Sequence, residues 1–174
     1  MRLKRNFFNR DTLIVARELL GKYLVRKIGP KIIRAKITET EAYCGPNDLA
    51  NHASKGMTPR NKVMFGSPGH TYIYLVYGMY HCLNIVTEKK GYPAAVLIRG
   101  VELDGMNGPG KICRGLKIDK TLNGIDVSFD KRLWLESASW RRRNIPKNKI
   151  KKSKRIGVDY AGKWKDKPWR FTLT

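Results

Sequence analysis

The chain has 174 residues, 41% of them hydrophobic, enough for one well-buried core and too few to need two domains. Thirty-six Lys and Arg residues stand against fourteen acidic ones, a formal net charge of +22, and such a field attracts phosphate backbones with little regard to sequence. No run of about 18 apolar residues is present and the N-terminal stretch holds no hydrophobic region long enough for a signal peptide, so neither a membrane span nor export is expected.

An intracellular protein follows, in cytoplasm or nucleoid if bacterial and in the nucleus if eukaryotic. Cys44, Cys82 and Cys113 are odd in number and widely separated, which fits reduced thiols better than a disulfide framework.

In chain order, Asp11 is positioned to cap a helix over Thr12 to Leu20, with Leu13, Ala16 and Leu20 on one face and Gly21 ending it. Tyr23 to Ile28 and Lys31 to Thr40 read as two strands of a hairpin turned at Gly29-Pro30. Cys44 to Lys62 is loop-rich. Thr71 to Val76 and His81 to Thr87 are strand candidates flanking Tyr77-Gly78-Met79-Tyr80, where Gly78 reads as a turn that presents bulky side chains at a tip. Ala94 to Arg99 is a short buried strand, followed by a glycine-rich loop and a helix over Lys111 to Leu116. From Arg141 to Arg155 the chain carries nine positive and no negative charges, which predicts a basic, mobile loop.

Several residues could do chemistry. If the strand through Ile37 stays regular, Ile33, Ala35, Ile37, Glu39, Glu41 and Tyr43 form one row, in which three apolar residues lead into two carboxylates. A carboxylate ending a core-facing row loses solvation and can act as a general base, while an ion pair with one of the many basic side chains is the commoner arrangement. His52, His70 and His81 say little alone, and the Cys and His spacing matches neither a structural zinc site nor a zinc deaminase. Gly105 to Lys111 nearly matches a nucleotide phosphate loop, but Ile112 lacks the hydroxyl that would hold magnesium and Pro109 removes a backbone donor. Half of the eight tyrosines fall between Tyr72 and Tyr80, within a stretch from Leu49 to Thr87 that has no acidic residue. A wedge there could enter a base stack.

The ordered set Glu39-Thr-Glu-Ala-Tyr43, Gly45-Pro46 with Asp48, His52, Thr58-Pro-Arg-Asn61, Tyr72-Ile-Tyr74, Tyr77-Gly-Met79, Leu83-Asn84 and Leu97-Ile-Arg99 resembles the alkyladenine (3-methyladenine) DNA glycosylase family. Gly108-Pro-Gly-Lys111, Arg155-Ile-Gly-Val158 and Pro168-Trp-Arg-Phe171 extend the likeness over nearly the whole chain. The resemblance implies a monofunctional enzyme that flips a damaged purine out of double-stranded DNA and hydrolyses its N-glycosidic bond, with neither metal nor organic cofactor. It implies that Glu41 activates the water and that Arg99 helps to hold it. Tyr43, His52 and Tyr74 would enclose the base, and Asn84 would exclude normal guanine. Tyr77 would fill the gap in the stack, with Met79 and Tyr80 in the minor groove.

Two departures stand out. Asn51 occupies a position where a small residue is expected, and the Arg141 to Arg155 run is longer and more basic than usual. The expected fold is α+β: a monomer of one domain with a curved, mainly antiparallel sheet, surrounding helices and a protruding hairpin. The non-enzymatic rival is a basic protein that binds duplex nucleic acid without releasing a base.

Overall fold

The computed structural model describes residues 1–137 and 145–174. The chain forms a single α+β domain built on a curled sheet in which every strand pairing among the described residues is antiparallel. A short helix α1 (Arg5–Phe8) precedes α2 (Thr12–Leu19). Strands β1 (Tyr23–Ile28), β2 (Lys31–Cys44), β3 (Thr71–Val76), β4 (Tyr80–Val86) and β5 (Ala94–Glu102) follow. Then come α3 (Pro109–Gly115), β6 (Leu133–Glu136), β7 (Ile150–Ser153) and β8 (Arg170–Leu173). The main path through the sheet runs β3-β4-β5-β2-β1-β6. Strand β1 covers one edge of β2 as far as Lys36, and β8 takes over that edge at Glu39 to Glu41, with β7 outside it.

Asp11 caps α2 as its position predicts, accepting a hydrogen bond from the Ile14 amide at 2.9 Å. The buried face is Thr12, Val15, Ala16 and Leu19, at helical spacing, rather than Leu13, Ala16 and Leu20. Leu20 is buried as the C-cap, and Leu13 is only partly covered. From α3, Ile112 and Cys113 join α2 in packing on Ile37, Leu83, Ile85, Val96 and Ile98. Each such side chain contributes about 1.5–3 kcal/mol when fully buried.

The sheet separates this helical core from a second face by strict alternation. Leu83 and Ile85 in β4, and Val96 and Ile98 in β5, point to the core, while Cys82, Asn84, Ala95 and Leu97 line a cleft on the other side. All three cysteines are free thiols, and burial pushes Cys113 up to about 12.

The structure corrects the basic loop expected over 141–155. Positions 141–144 lie outside the described residues, but Ile150–Ser153 pairs with β8 as a strand, with Lys151 and Lys152 facing solvent. Two exposed lysines flanked by half-buried Ile150 and Ser153 suit a strand on the rim of a sheet, and a charge count does not reveal it. Arg155, counted in that run, is buried.

Candidate active site

The regular row expected along β2 is interrupted. Pairing with β5 shifts register on both sides of Glu39, so that Ile37 faces Val101, Glu39 faces Gly100 and Thr40 faces Ile98. Thr38 in β2 and Arg99 in β5 are the unmatched residues, and irregularities of this kind re-aim side chains. Ile37 points into the helical core. Three residues later Thr40 does too, its hydroxyl donating to the Ala16 carbonyl of α2 at 2.9 Å, and Ala42 follows. Glu41 and Tyr43 therefore emerge on the opposite face, toward the cleft. Gly100 permits the close approach, since a Cβ there would sit 2.9 Å from the Cβ of Glu39 and 3.0 Å from Thr38 Oγ1.

The Glu41 side chain has no solvent exposure. Its Oε2 accepts from the Tyr43 hydroxyl at 2.9 Å, and its Oε1 accepts from the Ile156 amide at 2.9 Å. The Arg99 Nε stands 3.6 Å from Oε1. Burial raises the carboxyl above the usual glutamate range, against the opposing pull of Arg99 and the two hydrogen bonds. Burial likewise holds the Tyr43 hydroxyl protonated well above the ordinary tyrosine range, so it remains a donor.

The cleft beside Glu41 has a volume of about 480 Å³, the size of a small-ligand site. Tyr43, His52, Tyr72, Tyr74, Tyr77, Asn84 and Arg99 all line it. The His52 and Tyr74 rings meet edge-on with centroids 4.5 Å apart. Tyr72 is buried at the cleft wall, and its hydroxyl lies 2.9 Å from His52 Nδ1. Burial, and then the nearby Arg60 charge, lower the His52 imidazole below its ordinary range, which favours the neutral ring. The Asn84 amide donates to the Tyr72 carbonyl at 3.1 Å, which fixes its side chain in the wall. Asn51 is a staple, its amide nitrogen donating to the carbonyls of Gly45 at 2.9 Å and Pro93 at 2.8 Å.

The hairpin of β3 and β4 ends in Tyr77-Gly78-Met79, closed by the Met79 amide donating to the Val76 carbonyl at 3.1 Å. Tyr77 is 89% exposed and has φ +50°, and Gly78 follows at +69°. A large side chain held in left-handed backbone with nothing packed over it carries strain that folding alone does not explain. Met79 and Tyr80 are also exposed at this tip.

Two contributors, Arg155 and Arg170, stand in motifs that carry the resemblance but have no role expected from the sequence. Arg155 forms a fully buried bidentate pair with Asp48, Nη2 to Oδ1 being 2.8 Å, and donates to the Ala42 carbonyl at 3.0 Å. This pair fixes the segment that delivers the Ile156 amide to Glu41. Arg170 donates from Nη1 to Glu39 Oε1 at 3.0 Å, the same oxygen that accepts from Arg99 Nε at 3.1 Å. No group of three or more potential metal ligands occurs among the described residues.

The profile of the methylpurine-DNA glycosylase family matches residues 6–174. This chain belongs to the methylpurine-DNA glycosylase family. It is accordingly a DNA-repair hydrolase of N-glycosyl bonds. A protein of Methanocella arvoryzae bearing the name "Putative 3-methyladenine DNA glycosylase" is 50% identical, the match covering 97% of this chain and 90% of the relative. Proteins of the same name from Desulfitobacterium hafniense and an Anaeromyxobacter species are 46% and 47% identical over 99% of this chain, covering 95% and 89% of their own lengths. No helix among the described residues is long and apolar enough to cross a membrane.

Proposed function

We propose that this glycosylase is monofunctional. It turns a damaged purine of the 3-methyladenine, 7-methylguanine, hypoxanthine or ethenoadenine class out of double-stranded DNA and hydrolyses its N-glycosidic bond, acting as a monomer and leaving an abasic site. The observation that carries this reading is one carboxylate, Glu41, with no solvent exposure, beside a cleft walled by aromatic rings.

Breaking the bond sends its electron pair to the departing base and leaves positive charge on the deoxyribose. Glu41 stabilises that charge and takes a proton from the water whose oxygen bonds to the sugar carbon. Its raised proton affinity suits it to the task, and Arg99 beside it helps to orient the water. Tyr43, His52 and Tyr74 enclose the base, and a purine carrying positive charge from methylation is attracted to aromatic faces. Asn84, held rigidly by the Tyr72 carbonyl, excludes the exocyclic amine of normal guanine. Tyr77 fills the gap in the stack while Met79 and Tyr80 touch the minor groove.

The test is to incubate the protein with duplex oligonucleotides that each carry one of these lesions and to reveal abasic sites with alkali. Strand breaks after alkali treatment are expected on at least one lesion. Binding without breaks on every lesion would leave only a basic duplex-binding protein.

A further inference from the structure

Arg99 lies between two carboxylates and is closer to Glu39 than to Glu41. Its Nε is 3.1 Å from Glu39 Oε1 and 3.6 Å from Glu41 Oε1. Glu39 is anchored from behind by Arg170 Nη1 at 3.0 Å, and Arg170 is itself fixed by its Nε donating to the Lys154 carbonyl at 2.9 Å. Neither carboxylate lines the cleft directly, and the Glu39 side chain is 20% exposed where that of Glu41 is fully buried. The double register shift in β2 and β5 brings these groups together, with Gly100 leaving room for the Glu39 side chain.

We propose that Glu39 is a positioning residue: it draws Arg99 toward itself, braced by Arg170, and so sets how much of the Arg99 charge reaches Glu41. This rests on the reading of Glu41 as the base. A guanidinium fully paired with Glu41 would hold the carboxylate as a weak base. Shared with Glu39, Arg99 still orients groups near Glu41 but neutralises it only in part. Glu39 also adds its own negative charge, which favours the protonated form of Glu41.

The groups facing Glu41 from each neighbouring element are Glu39 and Tyr43 in β2, Tyr74 in β3, Cys82 in β4, Arg99 in β5, Arg170 opposite it in β8, and the Ile156 amide. Behind Tyr43, Asp48 and Arg155 neutralise each other. Burial keeps Tyr43 and Tyr74 protonated and raises the Cys82 thiol. The balance of Arg99, Glu39 and Arg170 therefore governs the local field.

The experiment follows the Glu41 carboxyl by carbon NMR during a pH titration of the DNA-free protein, with the resonance assigned by its loss in Glu41→Gln, alongside the pH dependence of base release. Glu39→Gln should move the Glu41 midpoint down by about one pH unit, the size of effect a full opposite charge exerts at this range. The acid limb of base release should move with it. Arg170→Gln should move both up, because Glu39 then pulls harder on Arg99. Glu39→Asp, which keeps the charge, should stay closer to the wild type than Glu39→Gln. Opposite shifts in the two charge-removing variants are not expected of residues that merely support the fold.

Unchanged midpoints, or shifts in one direction for both variants, would overturn the proposal. If Glu39→Gln does not fold, Arg170→Gln and Glu39→Asp decide it alone: an upward shift in the first and a near-native midpoint in the second support it, and any other pair of results overturns it. The NMR titration stands whether or not base is released. A wild type inactive on every lesion therefore sinks the proposed lesion chemistry, whereas an active enzyme with an immovable Glu41 sinks only the role of Glu39.

Discussion

The guanidinium of Arg155 lies 4.9 Å from the centre of the Tyr43 ring while gripping Asp48 with two nitrogens. One buried cation thus joins the C-terminal segment to the Gly45 to Asn51 loop and braces the tyrosine that donates to Glu41. Arg60 bears in the same way on Tyr74, at 5.4 Å. Each of these two cleft rings already carries a protein cation over it.

Removing one member of the Asp48–Arg155 pair leaves a charge buried without its partner. Asp48→Ala should lower unfolding stability by about 3–5 kcal/mol, read from urea denaturation. Arg155→Lys should also destabilise substantially, since an ammonium cannot reproduce the bidentate geometry. A loss below about 1 kcal/mol in both would show that the pair is not the brace described.

Glu41→Gln should abolish base release while leaving binding to an abasic-site analogue intact. It should also alter stability in a pH-dependent way. The folded-state proton affinity of Glu41 is raised by burial, so between the ordinary glutamate value and the raised one the folded chain binds more protons than the unfolded chain. Stability of the wild type then falls as pH rises through that window. Glu41→Gln escapes this loss, so its stability relative to the wild type should grow from acid to neutral pH in melts taken across the range. A constant difference would mean that burial does not perturb Glu41.

Tyr77 separates function from stability. At φ +50° and 89% exposure its side chain adds strain and little packing, so Tyr77→Gly should leave stability unchanged or raise it by about 1 kcal/mol. The same change should weaken binding to lesion-containing duplex roughly tenfold or more, from loss of a stacking ring. Unaltered binding would place the wedge elsewhere.

Gly100→Ala should strain the crossing of β2 and β5, because the new methyl meets Glu39 and Thr38 at 2.9 and 3.0 Å. A loss of about 1–3 kcal/mol is expected, together with slower base release from a displaced Arg99. Full stability and activity would argue that the register irregularity is incidental.

Much of this is legible in the sequence. Asp11 as a cap, the β3–β4 hairpin and its exposed tip all follow from local signals that need only neighbouring residues. The motifs around Glu41, Tyr43, His52, Tyr74 and Arg99 carried the family. Strand β7 and the burial of Arg155, though that residue stands in a family motif, were hidden because both lie in a run of positive charge, and charge counting does not distinguish a solvated lysine from an arginine whose carboxylate partner is more than a hundred residues away.

The face of β2 occupied by Glu41 was also beyond the sequence. A side-chain period of two carries Glu41 onto the same face as Ile37, the buried helical core. Only the register shifts at Thr38 and Arg99, which depend on how two distant strands meet over Gly100, turn Glu41 to the cleft. The sequence determined which residues were available, and in what local structure. Tertiary structure decided which of them face one another, because strand parity and burial are properties of pairings and not of neighbours along the chain.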